Sequence, residues 1–143
     1  MAVETVILAE EMMRRDRASR MLGMTVIDRS PGHSVVRMTV TDDMTNGFAI
    51  THGGFVFALA DTAFAIACNL GENLTVAAGA DITFLKPTRA GDELTATADR
   101  RAQSGRSGLY DVEVVDAGGE IVAEFRGRSR TTPQTLATLD AER

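Results

Sequence analysis

The segment from Gly54 to Asn69 constrains the fold of this chain more than any other. It contains no proline, and alanine recurs at positions 58, 60, 63, 65 and 67, which favours a helix that other backbone can approach closely. Apolar side chains occupy nearly every face, as expected of a helix that is enclosed on most sides. Asp61 is the only acid within it. The rest of the chain must therefore enclose this helix. The presence of one carboxylate within such an apolar helix needs an explanation.

The rest of the chain is dominated by the period-two alternation of apolar and polar residues that is typical of strands. Two strands are predicted between Met24 and Val40, on either side of the turn residues at 30–32, and four more between residues 74 and 132. A peripheral helix is predicted over residues 4–21, ending near Gly23, and the last ten or so residues are expected to be frayed. The predicted order is helix, two strands, enclosed helix, four strands.

One enclosed helix with about six antiparallel strands predicts the α+β class: a curved antiparallel sheet wrapped around one long central helix, with an N-terminal peripheral helix. No linker or internal repeat interrupts the chain, so residues 1–143 are expected to form one domain. At this length, folding buries about two thirds of the surface of the unfolded chain. Pairing of the edge strands with another copy would protect them, which predicts a homo-oligomer.

Composition argues against several classes of partner. The net charge of −5 and the pI near 5.0 argue against nucleic acid, which needs clustered positive charge. The longest apolar run, residues 54–70, is shorter than the roughly 20 residues that cross a bilayer, so no membrane partner is expected. The lone cysteine, Cys68, fits a reducing compartment, and residues 1–17 lack the pattern of a secretory signal. We therefore expect a cytoplasmic protein.

Short motifs spread over almost the whole chain carry a family resemblance. They are Asn46, the turn His52-Gly53-Gly54, and the segments LADTAFAIACN, ITFLKPTRAGDELTATA, YDVEVVD and FRGRS, which begin at residues 59, 82, 110 and 125. Together they resemble the hot-dog-fold thioesterases, and especially the phenylacetyl-CoA thioesterase branch associated with phenylacetate degradation. The resemblance implies hydrolysis of an acyl-CoA thioester to free acid and CoA, without a cofactor. It also implies a site at a dimer interface, commonly within a tetramer built from two dimers.

The resemblance further implies roles for individual residues. Gly53 would donate its backbone N–H to the thioester carbonyl, and Asp61 would act as the acid-base group or the nucleophile. Asn46, His52 and Thr62 would orient water, substrate or the acid. Some related branches also use a serine or threonine near the start of the next strand to hold the water, whereas this chain has alanine near that position, at residue 77.

Thioester hydrolysis asks for groups of this kind. Negative charge develops on the carbonyl oxygen, and a helix N-terminus such as that at Gly53 offers unpaired N–H groups and a favourable dipole. A carboxylate can activate water or attack the carbonyl itself, and Asp61 is the acid available. Eight helical residues separate the two, about 12 Å along the axis and roughly 80° of rotation, so one chain cannot easily place both at one carbon. We therefore predict a composite site, with Asn46, His52 and Gly53 from one chain and Asp61 and Thr62 from its partner across a two-fold axis.

Candidates for substrate binding lie around the same turn and one further loop. Gly54 belongs to the turn itself. Phe48, with Ile50, Phe55 and Phe57, could line an apolar pocket for a phenylacetyl or hydroxyphenylacetyl group, although a medium-chain acyl group would also fit such side chains. Lys86 and Arg89 border a turn that contains proline and are candidates for contacts with the CoA phosphates.

Other functions stay open at this level. A hydratase or dehydratase of enoyl or hydroxyacyl thioesters would make His52 the main proton-transfer residue, and a non-catalytic acyl-CoA-binding protein would make Asp61 structural. Asn46 could merely cap a turn, and Thr62 could bond back to its own helix. Cys68 is interpreted as a core residue, because sixteen helical residues place it about 24 Å from His52. Histidine and cysteine show no short paired spacing, so no metal site is expected.

Overall fold

The structure, a computed structural model, describes residues 2–143 and the side chains of residues 8–143. The expectation that residues 1–17 lack a secretory signal includes Met1, which lies outside the described residues. The elements in chain order are α1 (Ala2–Arg15), α2 (Arg17–Met21), β1 (Thr25–Ser30), β2 (His33–Thr39), a 3₁₀ helix (Asp42–Met44), α3 (Gly53–Cys68), β3 (Asn73–Phe84), β4 (Glu93–Ser104), β5 (Ser107–Val115), β6 (Ile121–Thr135) and α4 (Leu136–Ala141).

The peripheral helix predicted over residues 4–21 consists of two helices, α1 and α2. Asp16 separates them with extended backbone, and its side chain accepts a hydrogen bond from the backbone N–H of Ser19 at 2.8 Å. Aspartate is a favoured N-cap residue, so the chain ends one helix and starts a second one there. The predicted stop near Gly23 is confirmed, since this glycine adopts a left-handed φ of 70° just after α2.

The expectation of a frayed C-terminus was wrong. The strand β6 continues to Thr135, and α4 follows it directly. The Thr135 hydroxyl accepts from the N–H of Thr138, whose own hydroxyl accepts from the N–H of Thr135, so the two residues form a capping box. Arg15 of α1 donates hydrogen bonds of 2.8 and 3.1 Å to Asp140, which ties α4 to the N-terminal helix.

The six strands form one antiparallel sheet in the order β1-β2-β4-β5-β6-β3. The central helix α3 contacts all six strands, which requires the sheet to curve around it. The predicted architecture, a curved antiparallel sheet around one enclosed helix, is confirmed. No described helix has both the length and the apolar character needed to cross a bilayer.

The middle of α3 packs against the centre of the sheet through Phe64, which is 1% exposed. Its ring lies 5.5 Å from Tyr110 and 5.8 Å from Phe125, measured between ring centroids. A Cβ on Gly127 of β6 would come within 2.8 Å of three Phe64 ring atoms, so only glycine leaves room for the ring at this point. Close approach of β6 therefore helps to enclose the helix.

Polar anchors fix α3 along its axis. The buried Ser34 hydroxyl donates to the carbonyl of Ala63 at 2.6 Å. Asn69, the C-cap, donates to the carbonyl of Ala65 at 2.7 Å and accepts from the N–H of Thr75 at 2.9 Å, which joins the helix end to β3. Cys68 is buried just before this cap, so the interpretation of Cys68 as a core residue is confirmed.

One edge of the sheet is long and partly apolar. β3 runs for 12 residues at the end of the sheet and pairs with β6 on one side only. Val76 and Phe84 of β3 and the following Leu85 are exposed. Unpaired edge strands of this length are surfaces on which another chain can add a strand.

Candidate active site

Asn46 organises the loop that leads into α3. Its backbone N–H donates to the carbonyl of Ile50 at 2.8 Å, and its side-chain oxygen accepts from the N–H of Phe48 at 2.9 Å. Within the same turn, Ala49 adopts a φ of 61°, which is uncommon for a residue other than glycine. The suggestion that Asn46 caps a turn is therefore correct, because its side-chain oxygen accepts a hydrogen bond within the turn. Its side-chain NH₂ makes no hydrogen bond within residues 8–143 and is free to donate.

His52 caps the start of α3 and leaves one helix amide free. Its Nδ1 accepts from the N–H of Gly54 at 3.0 Å. Because Nδ1 accepts, the neutral ring carries its proton on Nε2. The N–H of Gly53, the first residue of the helix, has no hydrogen-bond partner among the residues that the structure describes. The helix start thus presents a free donor where the helix dipole favours negative charge.

Two threonines hold this helix start against the loop that follows β3. The N–H of Thr51 donates to the carbonyl of Thr88 at 2.8 Å, and their hydroxyl oxygens lie 2.7 Å apart. Both residues are buried. Sequence reasoning missed them, because two threonines 37 residues apart form no recognisable motif.

A cavity of about 550 Å³, which we call the Gly53 cavity, opens at this helix start. Its lining includes Asn46, Ile50, Gly53, Phe84 and Leu85. A Cβ on Gly53 would lie 2.9 Å from Cζ of Phe84, so the glycine makes room for this ring within the protomer. Phe84, 53% exposed, was not among the predicted residues, because nothing in its own strand segment indicates a contact with Gly53.

Lys86 forms ion pairs with acidic residues, whereas Arg89 does not within the described part of the chain. The Lys86 ammonium lies 2.5 Å from Asp116 and 3.0 Å from Glu120, and the pKa of the Asp116 carboxyl is lowered mainly by its hydrogen bond from Lys86. Lys86 lines the Gly53 cavity, but its charge is already matched. The guanidinium of Arg89 makes one long bond of 3.3 Å to the carbonyl of Ala49 and no ion pair within the described part of the chain. Arg89 is the freer cation near the turn.

The predicted acyl-binding side chains do not form one pocket in the protomer. Phe48 is 85% exposed at the tip of the turn, and Ile50 lines the Gly53 cavity. Phe55 instead lines a second cavity of about 530 Å³ beside Met44. Phe57 packs against Phe125 with ring centroids 5.3 Å apart, which places it against the core.

Asp61 lies two turns further along α3, outside the lining of the Gly53 cavity. It is half-buried, and its carboxylate makes no hydrogen bond within residues 8–143. Burial raises the pKa of its carboxyl, and the charge of Asp16 raises it further. Thr62 does not bond back to its own helix; its hydroxyl lies 2.9 Å from that of Ser19 in α2. One protomer therefore does not bring Asp61 to the free amide of Gly53.

The remaining histidine and the cysteine lie elsewhere. His33, the first residue of β2, has its Nδ1 2.7 Å from Asp99, which lies opposite it in the middle of β4. Burial raises the pKa of the Cys68 thiol to about 12, so it stays protonated at neutral pH. Across residues 8–143, no three His, Cys, Asp or Glu side chains cluster in a way that could hold a metal ion.

Comparison with known proteins identifies the family to which this chain belongs. Residues 48–123 match the model of the thioesterase superfamily. The chain is 45% identical over 128 residues to acyl-coenzyme A thioesterase PaaI of Escherichia coli K12, an alignment that covers 90% of this chain and 91% of that protein.

Comparison with solved structures leads to the same family. The E. coli PaaI protein from the phenylacetic acid degradation operon superimposes with a TM-score of 0.89 at 43% identity, covering 94% of this chain and 97% of that one. A variant of the phenylacetic acid degradation protein PaaI of Thermus thermophilus gives a TM-score of 0.78 at 36% identity, covering 82% and 100%. The resemblance to hot-dog-fold thioesterases is confirmed: the chain belongs to the thioesterase superfamily and is a thioester hydrolase.

Proposed function

We propose that this enzyme hydrolyses acyl-CoA thioesters, with an aryl acyl group such as phenylacetyl or hydroxyphenylacetyl as its substrate. The observation that carries the proposal is the unpaired N–H of Gly53, at the start of an enclosed helix and beside a partly apolar cavity. The names of the relatives support the choice of substrate, since they describe an acyl-CoA thioesterase and proteins of phenylacetic acid degradation.

The free amide serves as the donor for the developing oxyanion. Negative charge on the thioester oxygen is stabilised by the Gly53 N–H and by the helix dipole behind it. The side-chain NH₂ of Asn46, held in place by the bond from Phe48 N–H to its oxygen, supplies a second donor from the same cavity. His52 keeps the helix start in shape through its cap on Gly54, a positioning role rather than proton transfer.

The carboxylate comes from a second copy of the chain. In one protomer Asp61 is eight residues from Gly53, about 12 Å along the helix axis. Antiparallel pairing of two β3 edges about a two-fold axis normal to the sheet reverses every direction within the sheet plane, including that of α3. With the axis level with the segment of α3 between Gly53 and Asp61, the start of one helix faces Asp61 of the other, and the symmetry gives two equivalent sites. Such a dimer is the active unit, and two dimers form a homotetramer.

Asp61 acts as a base or as the nucleophile. As a base, it takes a proton from water while the water oxygen attacks the carbonyl carbon. The C–S bond then breaks, and the CoA sulfur recovers the proton. As a nucleophile, it forms a mixed anhydride as CoA leaves, and water then hydrolyses the anhydride. The raised pKa of Asp61 makes the ionised carboxylate a stronger base on either route.

The walls of the Gly53 cavity favour an apolar acyl group. Ile50, Val56, Phe84 and Leu85 contribute apolar surface there. Arg89, without an ion-pair partner among the described residues, is the cation best placed to meet a CoA phosphate outside the cavity. The exposed Phe48 adds apolar surface at the tip of the neighbouring turn.

A screen of CoA thioesters tests the proposal. Free CoA is measured after incubation with phenylacetyl-, hydroxyphenylacetyl- and straight-chain acyl-CoA, with the Asp61→Asn variant as control. We expect the highest kcat/KM for the aryl esters and near-background turnover in the variant. Turnover that does not change in Asp61→Asn would contradict the assigned role. Hydration of an enoyl-CoA without CoA release would indicate the hydratase alternative, and binding without turnover would indicate a carrier protein.

A further inference from the structure

Three polar side chains connect α2 to the part of α3 that carries Asp61. The Ser19 hydroxyl donates to Asp16 Oδ2 at 2.6 Å, and the Ser19 N–H donates to Asp16 Oδ1 at 2.8 Å. Thr62 Oγ1 lies 2.9 Å from Ser19 Oγ. An ionised carboxylate only accepts, so the Ser19 proton is committed to Asp16, and the Thr62 hydroxyl must donate to Ser19. The chain of bonds therefore runs from Thr62 through Ser19 to the Asp16 carboxylate.

This series of hydrogen bonds is well placed to fix the orientation of Asp61. Ser19 is 2% exposed, so its bonds are shielded from water and are stronger than the same bonds on the surface. Thr62 is the residue after Asp61, and fixing its side chain fixes the helix turn that both share. The Asp61 carboxylate has no hydrogen-bond partner among residues 8–143, so its orientation in the protomer depends on that turn.

The same carboxylate also acts on Asp61 by its charge. Within the described residues, Asp16 is the charged group that perturbs Asp61, and it does so in addition to burial. Arg17 and Arg20 of α2 are exposed, and the Arg20 guanidinium donates to a backbone carbonyl of α1. Cys68, on the same helix as Asp61, is a neutral thiol at working pH. A like charge close to a half-buried carboxylate favours its protonated form.

We propose that Asp16 is a positioning residue for Asp61: through Ser19 and Thr62 it holds the turn of α3 that presents the Asp61 carboxylate. This inference rests on the proposed function, in which Asp61 activates water or attacks the thioester. It also accounts for the break between α1 and α2. The break makes Asp16 an N-cap, which directs its carboxylate to Ser19.

Two variants separate the charge from the hydrogen bond between Ser19 and Thr62. Asp16→Asn removes the charge and keeps a side-chain oxygen that can cap the Ser19 N–H, while its NH₂ can donate to the Ser19 hydroxyl, which is then free to donate to Thr62. Ser19→Ala keeps the charge and removes the hydrogen bond to Thr62. Asp28→Asn, on an exposed residue of β1, makes the same change in net charge and serves as the matched control.

Two readouts are measured on the full-length enzyme. The first is the titration of the Asp61 carboxyl by ¹³C NMR, assigned from its absence in Asp61→Asn, and it does not depend on activity. The second is the pH profile of kcat and kcat/KM. In Asp16→Asn, we expect the Asp61 titration and the acid limb of kcat/KM to move together to lower pH, with no movement in Asp28→Asn. In Ser19→Ala, we expect kcat to fall at the plateau, toward the roughly 100-fold loss of a 1 Å misplacement, with KM unchanged.

The outcomes distinguish this inference from the proposed function. An Asp61 titration in Asp16→Asn that overlays the wild-type curve overturns the electrostatic role, and an unchanged kcat in Ser19→Ala overturns the positioning role. Either result can occur while Asp61→Asn is inactive, in which case the proposed function stands alone. If Asp61→Asn keeps full activity, the proposed function fails, and the catalytic part of this inference fails with it even when the NMR titration moves.

Discussion

Deleting the backbone N–H of Gly53 is the sharpest perturbation that the site allows. Gly53 is the first residue of α3, a position where proline is favoured because the missing N–H has no intrahelical partner. The preceding residue, His52, has φ −61° and ψ 130°, a conformation that is compatible with a following proline. Gly53→Pro should therefore fold, and it removes the proposed oxyanion donor.

Gly53→Ala supplies the matched control, because it adds the same Cβ and keeps the N–H. That Cβ would lie 2.9 Å from Cζ of Phe84, about 0.6 Å closer than the shortest comfortable carbon contact. Overpacking of this kind costs about 1–3 kcal/mol. The half-exposed Phe84 ring can turn away, so we expect the loss in free energy of unfolding to lie near the lower limit, about 1 kcal/mol. Phe84→Leu in the Gly53→Ala background should recover part of it.

The comparison of the two variants isolates the amide. Removing one oxyanion donor lowers kcat by about 100- to 1000-fold, or about 2.7–4 kcal/mol. We therefore expect kcat of Gly53→Pro to be lower than that of Gly53→Ala by a factor in this range, measured as CoA release at saturating thioester. Thermal unfolding of both variants checks that the fold is kept. Equal kcat values in two folded variants would refute the role of the Gly53 N–H.

Three further predictions concern charge, packing and substrate binding. The pKa of Asp61 is raised in the folded state, so the fold is most stable when this carboxyl is protonated and loses stability as pH rises through that pKa. Asp61→Asn should therefore raise Tm at neutral pH, and this increase in Tm should become smaller as the pH is lowered. Gly127→Ala places a Cβ 2.8 Å from the buried Phe64 ring, which cannot turn away, so the free energy of unfolding in denaturant titrations should fall by about 1–3 kcal/mol. Arg89→Ala should raise KM for CoA thioesters several-fold at low salt and less at high salt, whereas Lys86→Ala, whose charge is already matched, should change KM less.

The fold was predictable because its main constraint is local. A helix with apolar residues on nearly every face cannot be stable unless it is enclosed, and six period-two segments leave a curved sheet as the structure that can enclose it. The break at Asp16 was missed, because residues 4–21 keep a helical periodicity across it and the cap depends on a side-chain bond to Ser19. The ordered C-terminus was missed because a Thr135–Thr138 pair is a weaker signal than the usual capping box.

The site was predictable in part. The turn at residues 52–54 and Asn46 are close in sequence to the helix start, so their convergence follows from the chain itself. The contacts made by Phe84 and by the Thr51–Thr88 pair come from distant segments and depend on the register of β3. The ion pairs that engage Lys86 are likewise formed by residues 30 and 34 positions away, which a reading of the local sequence does not reveal.

The pairing of the two site halves across a dimer is the central claim, and complementation between inactive chains tests it most directly. Gly53→Pro and Asp61→Asn chains, each with its own affinity tag, are produced together, and dimers that contain one of each are purified. Such a dimer has one site with both groups intact and one site with neither, so we predict about half of the wild-type activity per dimer. Mixed dimers that are no more active than either parent variant would contradict the claim.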